Sequence, residues 1–392
     1  MVTTRHDDSP TLPELFLIFL RLGLTSFGGP AAHLGFFHDE FVRRRRWLSD
    51  AAYGEVVALC QLLPGPASSQ VGLAVGFLQR GYRGAALAWL AFTLPSALLM
   101  GLVAAGLTVW PEAGQGGWVE GLKLFVVAVV AQAVWQMGKV LCPDPARLSF
   151  ALAVAAVLLL VSAVWIQVLA LIVAGVVGVG LKKGSGPGNE ALLLPVQGRR
   201  PLIFAGLFVL LLLASFLPFA TGSLPWIAAE LYRSGALVFG GGHVVLPWLE
   251  SSFVASGAMP VDTFLAGYGV VQAMPGPLFS FSAFLGTAGS GFVGGLIAVL
   301  AVFLPGTLLV FAGLPLWTYV RQHPGARYFL TGVSAGVVGL LLAALYDPIW
   351  TSAVKSPDAL ALVLVIWAAL ALWRVPVWLM APACAAVGAW LL

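Results

Sequence analysis

Two stretches separated by about half the chain carry nearly the same short text, and each falls where a membrane helix would break. Arg21 to Pro30 reads RLGLTSFGGP and Arg233 to Gly242 reads RSGALVFGGG, an offset of 212 positions (233 − 21). QLLPGP, Gln61 to Pro66, returns as QAMPGP, Gln272 to Pro277, at an offset of 211. FTLPSALL around Pro95 then returns as VFLPGTLL around Pro305. Three matched islands in one order make an internal duplication. They divide the chain into a first repeat, 1–181, a polar linker, 182–200, a linking apolar helix, 201–219, and a second repeat, 220–392.

The residues between the islands choose the solvent. With 60% hydrophobic residues, 9% charged residues and a mean hydropathy of +0.97, the chain carries more apolar surface than a soluble domain can bury. Residues 84–110, 118–141, 148–165, 166–181 and 201–219 each read as a transmembrane helix. The fold class is therefore all-α and polytopic, with the lipid bilayer as a partner. The net charge of +4 resides in membrane-flanking loops rather than on an amphipathic face, so nucleic acid is not expected to bind. The acidic N-terminal text, with no small-residue cleavage site behind the first apolar run, argues against a signal peptide. Cys60, Cys142 and Cys384 are scattered and odd in number, which suits buried thiols rather than disulfides or a metal site.

Loop cations set the orientation. Arg43 to Arg46, Arg80 with Arg83, Lys139 with Arg147, and Lys182, Lys183, Arg199 and Arg200 all prefer the cytoplasm, whereas the loop PEAGQGG has no cation and fits outside. The four helices from 84 to 181 then alternate without conflict, and everything before Arg80 must enter and leave on one side. We therefore expect 12–42 and 50–80 to be re-entrant helical hairpins at the midplane, with GGP and PGP at their tips. Charge alone leaves a pair of full spans open for each. The helix 201–219 would carry the chain outside, so that the second repeat runs inverted, with the N-terminus cytoplasmic and the C-terminus periplasmic. Inverted repeats with broken helices are the architecture of many secondary transporters.

Non-helical backbone at membrane depth is tolerated only where it is buried in protein or lines a wet cavity. Four breaks in symmetric positions thus point to a central site. Pro30, Pro66 and Pro277 are expected at the first position of half-helices, whose free N–H groups and positive dipole ends would converge on an anion. A helix starting near Gly242 and His243 would complete the set. Arg21 and Arg233 stand in register before the two Phe-Gly-Gly tips, and two guanidinium groups suit a doubly charged oxyanion. The alternative for each is a salt bridge to a local carboxylate such as Glu14 or Glu230. Ser68, Ser69, Gln70, Ser280 and Ser282 follow the Pro-Gly-Pro tips, while Gln61 and Gln272 precede them; all are candidate oxyanion ligands, or else satisfy their own backbone. His33, His243 and Glu55 are candidates for proton coupling. Asp39 and Glu40 with the four arginines read as a solvated collar.

The strings SFGGPAAHLGFFHDEFVRRRRWLSD, QLLPGPASSQ, FLQRGYRGA, FGGGHVVLPWLE and QAMPGP resemble the chromate ion transporter family, in its long-chain two-domain form, and cover nearly the whole chain. The resemblance implies a bacterial inner-membrane protein that exports chromate on the proton or charge gradient and confers chromate resistance. It also implies two homologous domains of opposite orientation. The family's signature positions fall here on Phe27, Gly28, Gly29, Pro30, Pro64, Gly65 and Pro66, and on Phe239, Gly240, Gly241, Pro275, Gly276 and Pro277. The second Phe-Gly-Gly tip ends in Gly242 where the first ends in proline. Chromate and sulfate are both tetrahedral dianions, so a sulfate or other oxyanion carrier stays open beside a chromate exporter, as does a passive anion channel. Protons are expected as a further partner, a homodimer is left open, and no cofactor is expected. No nucleophile–base pair, paired-carboxylate centre or H-E-x-x-H motif supports an enzyme.

Overall fold

The computed structural model describes residues 10–110, 116–161, 164–181, 200–238 and 245–391. Among them every regular element is helical. The first repeat supplies α1 (Leu12–Thr25), α2 (Gly29–His38), α3 (Asp50–Leu62), α4 (Ala67–Val109), α5 (Gly117–Leu141), α6 (Pro145–Leu160) and α7 (Val164–Leu181). After α8 (Arg200–Ala214) come α9 (Leu224–Leu237), α10 (Val245–Phe253), α11 (Val261–Ala273), α12 (Phe281–Gln322) and α13 (Pro324–Ala344). The short α14 (Thr351–Ala353), then α15 (Pro357–Ala371) and α16 (Val377–Leu391), close the chain. Among the described residues four helical stretches are long and apolar enough to cross a membrane, Ala67–Val109, Gly117–Lys139, Leu278–Leu314 and Thr331–Ala353. The linking helix ends at Ala214, short of the expected Phe219.

The broken segments are hairpins whose ends meet. At 1.5 Å per residue, α1 is about 21 Å long, too short to cross a hydrocarbon core of about 30 Å. The chain returns through α2 and a π-helical turn, Asp39–Arg44, to a point where Arg45 Nη1 lies 3.4 Å from Glu14 Oε1 near the start of α1. The second hairpin ends at Arg80, whose Nε donates to the carbonyl of Pro10 at 2.5 Å. Arg80 and Gly81 leave helical geometry there, and α4 turns back on itself. The same kink recurs 210 positions later at Ser290 and Gly291, where Ser290 Oγ donates to Gly222 O at 3.2 Å. Capping repeats too: Thr11 and Ser223 cap α1 and α9, and Asp144 and Ser356 cap α6 and α15.

Proline placement differs from the expectation by one position. Pro30 is the second residue of α2, Pro66 is the N-cap of α4, and Pro277 is the N-cap of a 3₁₀ turn, Leu278–Ser280, that leads into α12. The reason is in the backbone around them: Gly29 takes a left-handed φ of 77° and can open the helix itself, while Pro66 and Pro277 keep non-helical ψ values of 87° and 135°. The half-helix expected near Gly242 is described from Val245 onward, and residues 239–244 lie outside the described residues.

The halves interlock rather than lie side by side. α5 packs on α15 and α16, and its counterpart α13 packs on α6 and α7. The crossings are made by small residues: a Cβ on Gly121 would meet Gly388 Cα at 3.1 Å, and one on Gly178 would meet Gly332 Cα at 2.7 Å. Without a hydrophobic force between helices in lipid, such close backbone approach supplies the packing. Under the first hairpin, Phe19, Phe37, Phe41 and Phe92 form one buried aromatic cluster, while Phe264, Tyr268, Phe281 and Phe284 do so in the second half. Leu202, Ile203, Leu210 and Leu213 of α8 are instead exposed, an apolar face that suits lipid.

Candidate functional site

The hairpin tips of one half are clipped to those of the other. Gly276 N–H donates to Ser26 O at 2.9 Å, and Gly65 N–H donates to Val238 O at 2.7 Å. Ser26 corresponds to Val238, and Gly65 to Gly276, under the repeat offsets of 212 and 211. The two bonds are therefore one contact made twice, with the roles of the halves exchanged. Both donors are glycines at positive φ, 122° for Gly65 and 93° for Gly276. A Cβ at Gly276 would sit 2.7 Å from Ser96 Oγ, and one at Gly65 would sit 3.1 Å from Gly306 Cα. Only glycine meets both demands, of dihedral and of space.

Polar side chains brace these tips. His33, fully buried, faces the Ser26 carbonyl through Nε2 at 3.1 Å and Ser68 Oγ through Nδ1 at 3.4 Å. A carbonyl only accepts, so Nε2 carries the hydrogen and a neutral ring accepts from Ser68. Gln70 Nε2 donates to Pro64 O at 2.9 Å and to Gly306 O of the other half at 3.4 Å. Ser280 Oγ donates to Pro277 O at 2.7 Å. The hydroxyls of Ser69 and Ser282 are buried without a partner. Gln272 is buried beside Tyr268, Pro64 and Pro275 are half-buried, and Phe27 packs its ring 5.4 Å from that of Trp378. Gly28 and Gly29 give the first tip its left-handed turn.

Other candidates stand apart. Gln61 is exposed, and Glu55 lies half-buried on α3. Arg233 is held by Glu230, with its guanidinium 5.2 Å over the Phe216 ring, and Glu230 also accepts from Ser252 Oγ at 2.6 Å. Arg21 is exposed among residues of α1, α2 and the π-turn, so the structure does not bring the two arginines together. Phe239, Gly240, Gly241, Gly242 and His243 lie outside the described residues.

Comparison with known proteins adds the family. A family model described as chromate transporter matches residues 13–179 and 226–389. The chain belongs to the chromate transporter family. It is 30% identical over 345 residues to a probable chromate transport protein of Synechococcus elongatus, covering 85% of this chain and 84% of that one. It is 28% identical over 366 residues to a chromate transport protein of Pseudomonas aeruginosa, covering 88% and 83%. With a chromate transport protein of Cupriavidus metallidurans it shares 29% identity over 368 residues, covering 89% and 86%. No solved structure matches. With its apolar helices, the family makes this a multi-pass membrane protein.

Two cavities of this transporter-family chain carry charged side chains in their walls. One, of about 480 Å³, is lined by Arg21, Arg43, Arg44, Asp39, Glu40 and Thr25 among others. Arg43 pairs with Asp39 and both Arg44 and Arg45 with Glu40, so Arg21 is the cation there with no ion pair among the described residues. Burial pushes the Glu40 carboxyl up, but the guanidinium groups of Arg45 and Arg44 outweigh it and hold the carboxyl below its usual range. The other cavity, of about 560 Å³, opens between the halves and is lined by Thr108, Glu120, Asp262, Thr263, Phe284 and neighbours. At its edge Lys123 is fully buried, with Nζ donating to Glu120 Oε1 at 2.8 Å and, across the halves, to Asp262 Oδ1 at 2.9 Å. Sequence reasoning misses Lys123, Ser26 and Thr93. A lysine inside the run 118–141, well away from Lys139 near its end, is the available signal, since intramembrane charge is costly and calls for a partner.

Proposed function

We propose that this protein is a secondary transporter that exports chromate across the bacterial inner membrane by alternating access, driven by the proton motive force. Chromate transport comes from the relatives, whose names carry that activity. The observation that supports the mechanism is the reciprocal clip, Gly276 to Ser26 and Gly65 to Val238, which joins the Phe-Gly-Gly tip of each half to the Pro-Gly-Pro tip of the other. If the second half is inverted in the membrane, exchanging roles at that clip exchanges the side from which the site is reached.

In this reading the substrate is held at the tips. The first turns of α2 and α4 and the 3₁₀ turn after Pro277 aim unbonded N–H groups toward the ligand, favouring negative charge. Arg21, with Arg43 and Arg44, would gather the dianion in the cytoplasmic cavity, while Arg233 holds the second hairpin through Glu230. His33 would couple protons by exchanging its two hydrogen bonds, a role that reaches both the Ser26 break and Ser68. The collar of arginines supports a cytoplasmic N-terminus. Chromate uptake into everted membrane vesicles tests the proposal. We expect saturable accumulation that needs an imposed gradient and collapses with a protonophore. Uptake that merely equilibrates, whatever the gradient, would indicate a channel.

A further inference from the structure

Four buried hydroxyls have no hydrogen-bond partner among the described residues: Ser26 Oγ, Ser69 Oγ, Thr93 Oγ1 and Ser282 Oγ. Their residues are 0%, 3%, 2% and 1% exposed. Their near neighbours behave differently, because Ser68, Ser96 and Ser280 are engaged by His33 Nδ1, Thr93 O and Pro277 O. Leaving a buried hydroxyl unpaired costs about 1–3 kcal/mol. Four such groups beside the hairpin tips and on the helices that follow them are a load that packing alone does not explain.

Each is placed beside a hairpin tip or its clip by its position in the chain. Ser26 is the break residue whose carbonyl receives Gly276 N–H. Ser69 lies in the first turn of α4, beside the Pro64–Pro66 tip, and Ser282 lies in the first turn of α12, after the matching tip of the other half. Thr93 sits one turn before Ser96 on α4, and Ser96 Oγ packs against Gly276. Among the described residues no arginine or lysine is hydrogen-bonded to them: Arg21 is exposed, Arg233 is held by Glu230, and Lys123 by Glu120 and Asp262.

We propose that Ser26, Ser69, Thr93 and Ser282 form a neutral-donor cradle that coordinates the oxygens of a tetrahedral dianion. Every oxygen of such an anion accepts hydrogen bonds, and each hydroxyl has a hydrogen to give. The negative charge is balanced by the helix first turns that open at the same tips rather than by a guanidinium. The inference rests on the transport reading and names the side chains that make its site. It also explains why the hydroxyls are retained at a cost to stability: that cost is offset only when substrate is bound.

Thr93→Val and Ser26→Ala separate the cradle from a structural role. Both remove an unpaired polar group, so purified protein without substrate should melt no lower than wild type. Chromate should raise the melting temperature of wild type by mass action and fail to do so in either variant. In everted vesicles KM for chromate should rise roughly ten- to a hundredfold, the loss of one hydrogen bond to a charged group. Thr93→Ser should restore it. Thr307→Val, whose hydroxyl is engaged by Phe303 O, serves as the control with KM unchanged. Variants that keep wild-type KM and the chromate-induced shift overturn the cradle, as do variants that melt lower yet still respond to chromate. Wild type that neither transports nor is stabilised by chromate or sulfate overturns the transport reading itself, and the cradle with it.

Discussion

Gly276→Ala puts the clip under the most direct stress. The residue sits at φ +93°, where an L side chain costs about 1–2 kcal/mol. Its new Cβ would lie 2.7 Å from Ser96 Oγ, 3.1 Å from Ser96 Cβ and 3.3 Å from Gly23 O, an overpacking worth about 1–3 kcal/mol. Shifting the turn to relieve that contact lengthens the 2.9 Å bond to Ser26 O, worth about 0.5–1.5 kcal/mol net. A combined effect of about 3 kcal/mol corresponds to roughly a hundredfold in the equilibrium that forms the clip. Gly222→Ala is the matched control, since Gly222 has φ +80° but nothing within 4 Å of an added methyl. Tryptophan fluorescence melting in detergent and vesicle uptake would be read in parallel. We expect Gly276→Ala to lose most transport and several degrees of stability, and Gly222→Ala to lose only the dihedral cost. Equal behaviour of the two variants would refute the claim that contact at the clip matters.

Lys123 should tolerate Met better than its partners tolerate loss. Glu120 and Asp262 are 42% and 57% exposed and can be solvated when the ammonium goes, so Lys123→Met should keep its melting temperature, whereas Asp262→Ala should cost roughly 1.5–3 kcal/mol by stripping a buried charge of one partner. Glu40 is ionised more easily in the folded collar than in the unfolded chain, so it adds stability above its ordinary value of 4.5 that disappears as pH falls through its lowered pKa. Glu40→Gln should therefore melt below wild type at pH 7, with the gap closing as acid melts go progressively below pH 4.5. Gly332→Leu should disrupt the α13–α7 crossing, where any Cβ would collide with Ala174 O, and the folded yield after membrane extraction should fall sharply.

The sequence is most readable where physics leaves few choices. Apolar length and the rule against exposed backbone in lipid yield the helices and the hairpins, and duplication marks Gly65 and Gly276 as equivalent before any contact is known. Less readable are features that depend on which face a residue presents. Arg233 and Glu230 are three residues apart on α9, so their pairing is an open alternative, yet text alone does not rank a local salt bridge above a ligand. Lys123 lies in an ordinary apolar run, and its partner Asp262 is 139 positions away, beyond any local pattern. Ser26 and Thr93 look like common helix-end and helix-interior hydroxyls; their significance lies in burial without a partner, which only three dimensions reveal.

Thiol accessibility from the two sides of the membrane tests the central claim most directly. Thr108→Cys reports on the 560 Å³ cavity and Arg43→Cys on the 480 Å³ cavity, while the native Cys60, Cys142 and Cys384 are buried. With an impermeant reagent, we expect Thr108→Cys to be labelled only from the periplasm and Arg43→Cys only from the cytoplasm. Chromate should then change the two labelling rates in opposite directions, as alternating access at the clipped tips requires. Labelling of both positions from the same side, or rates that chromate leaves untouched, would contradict the account.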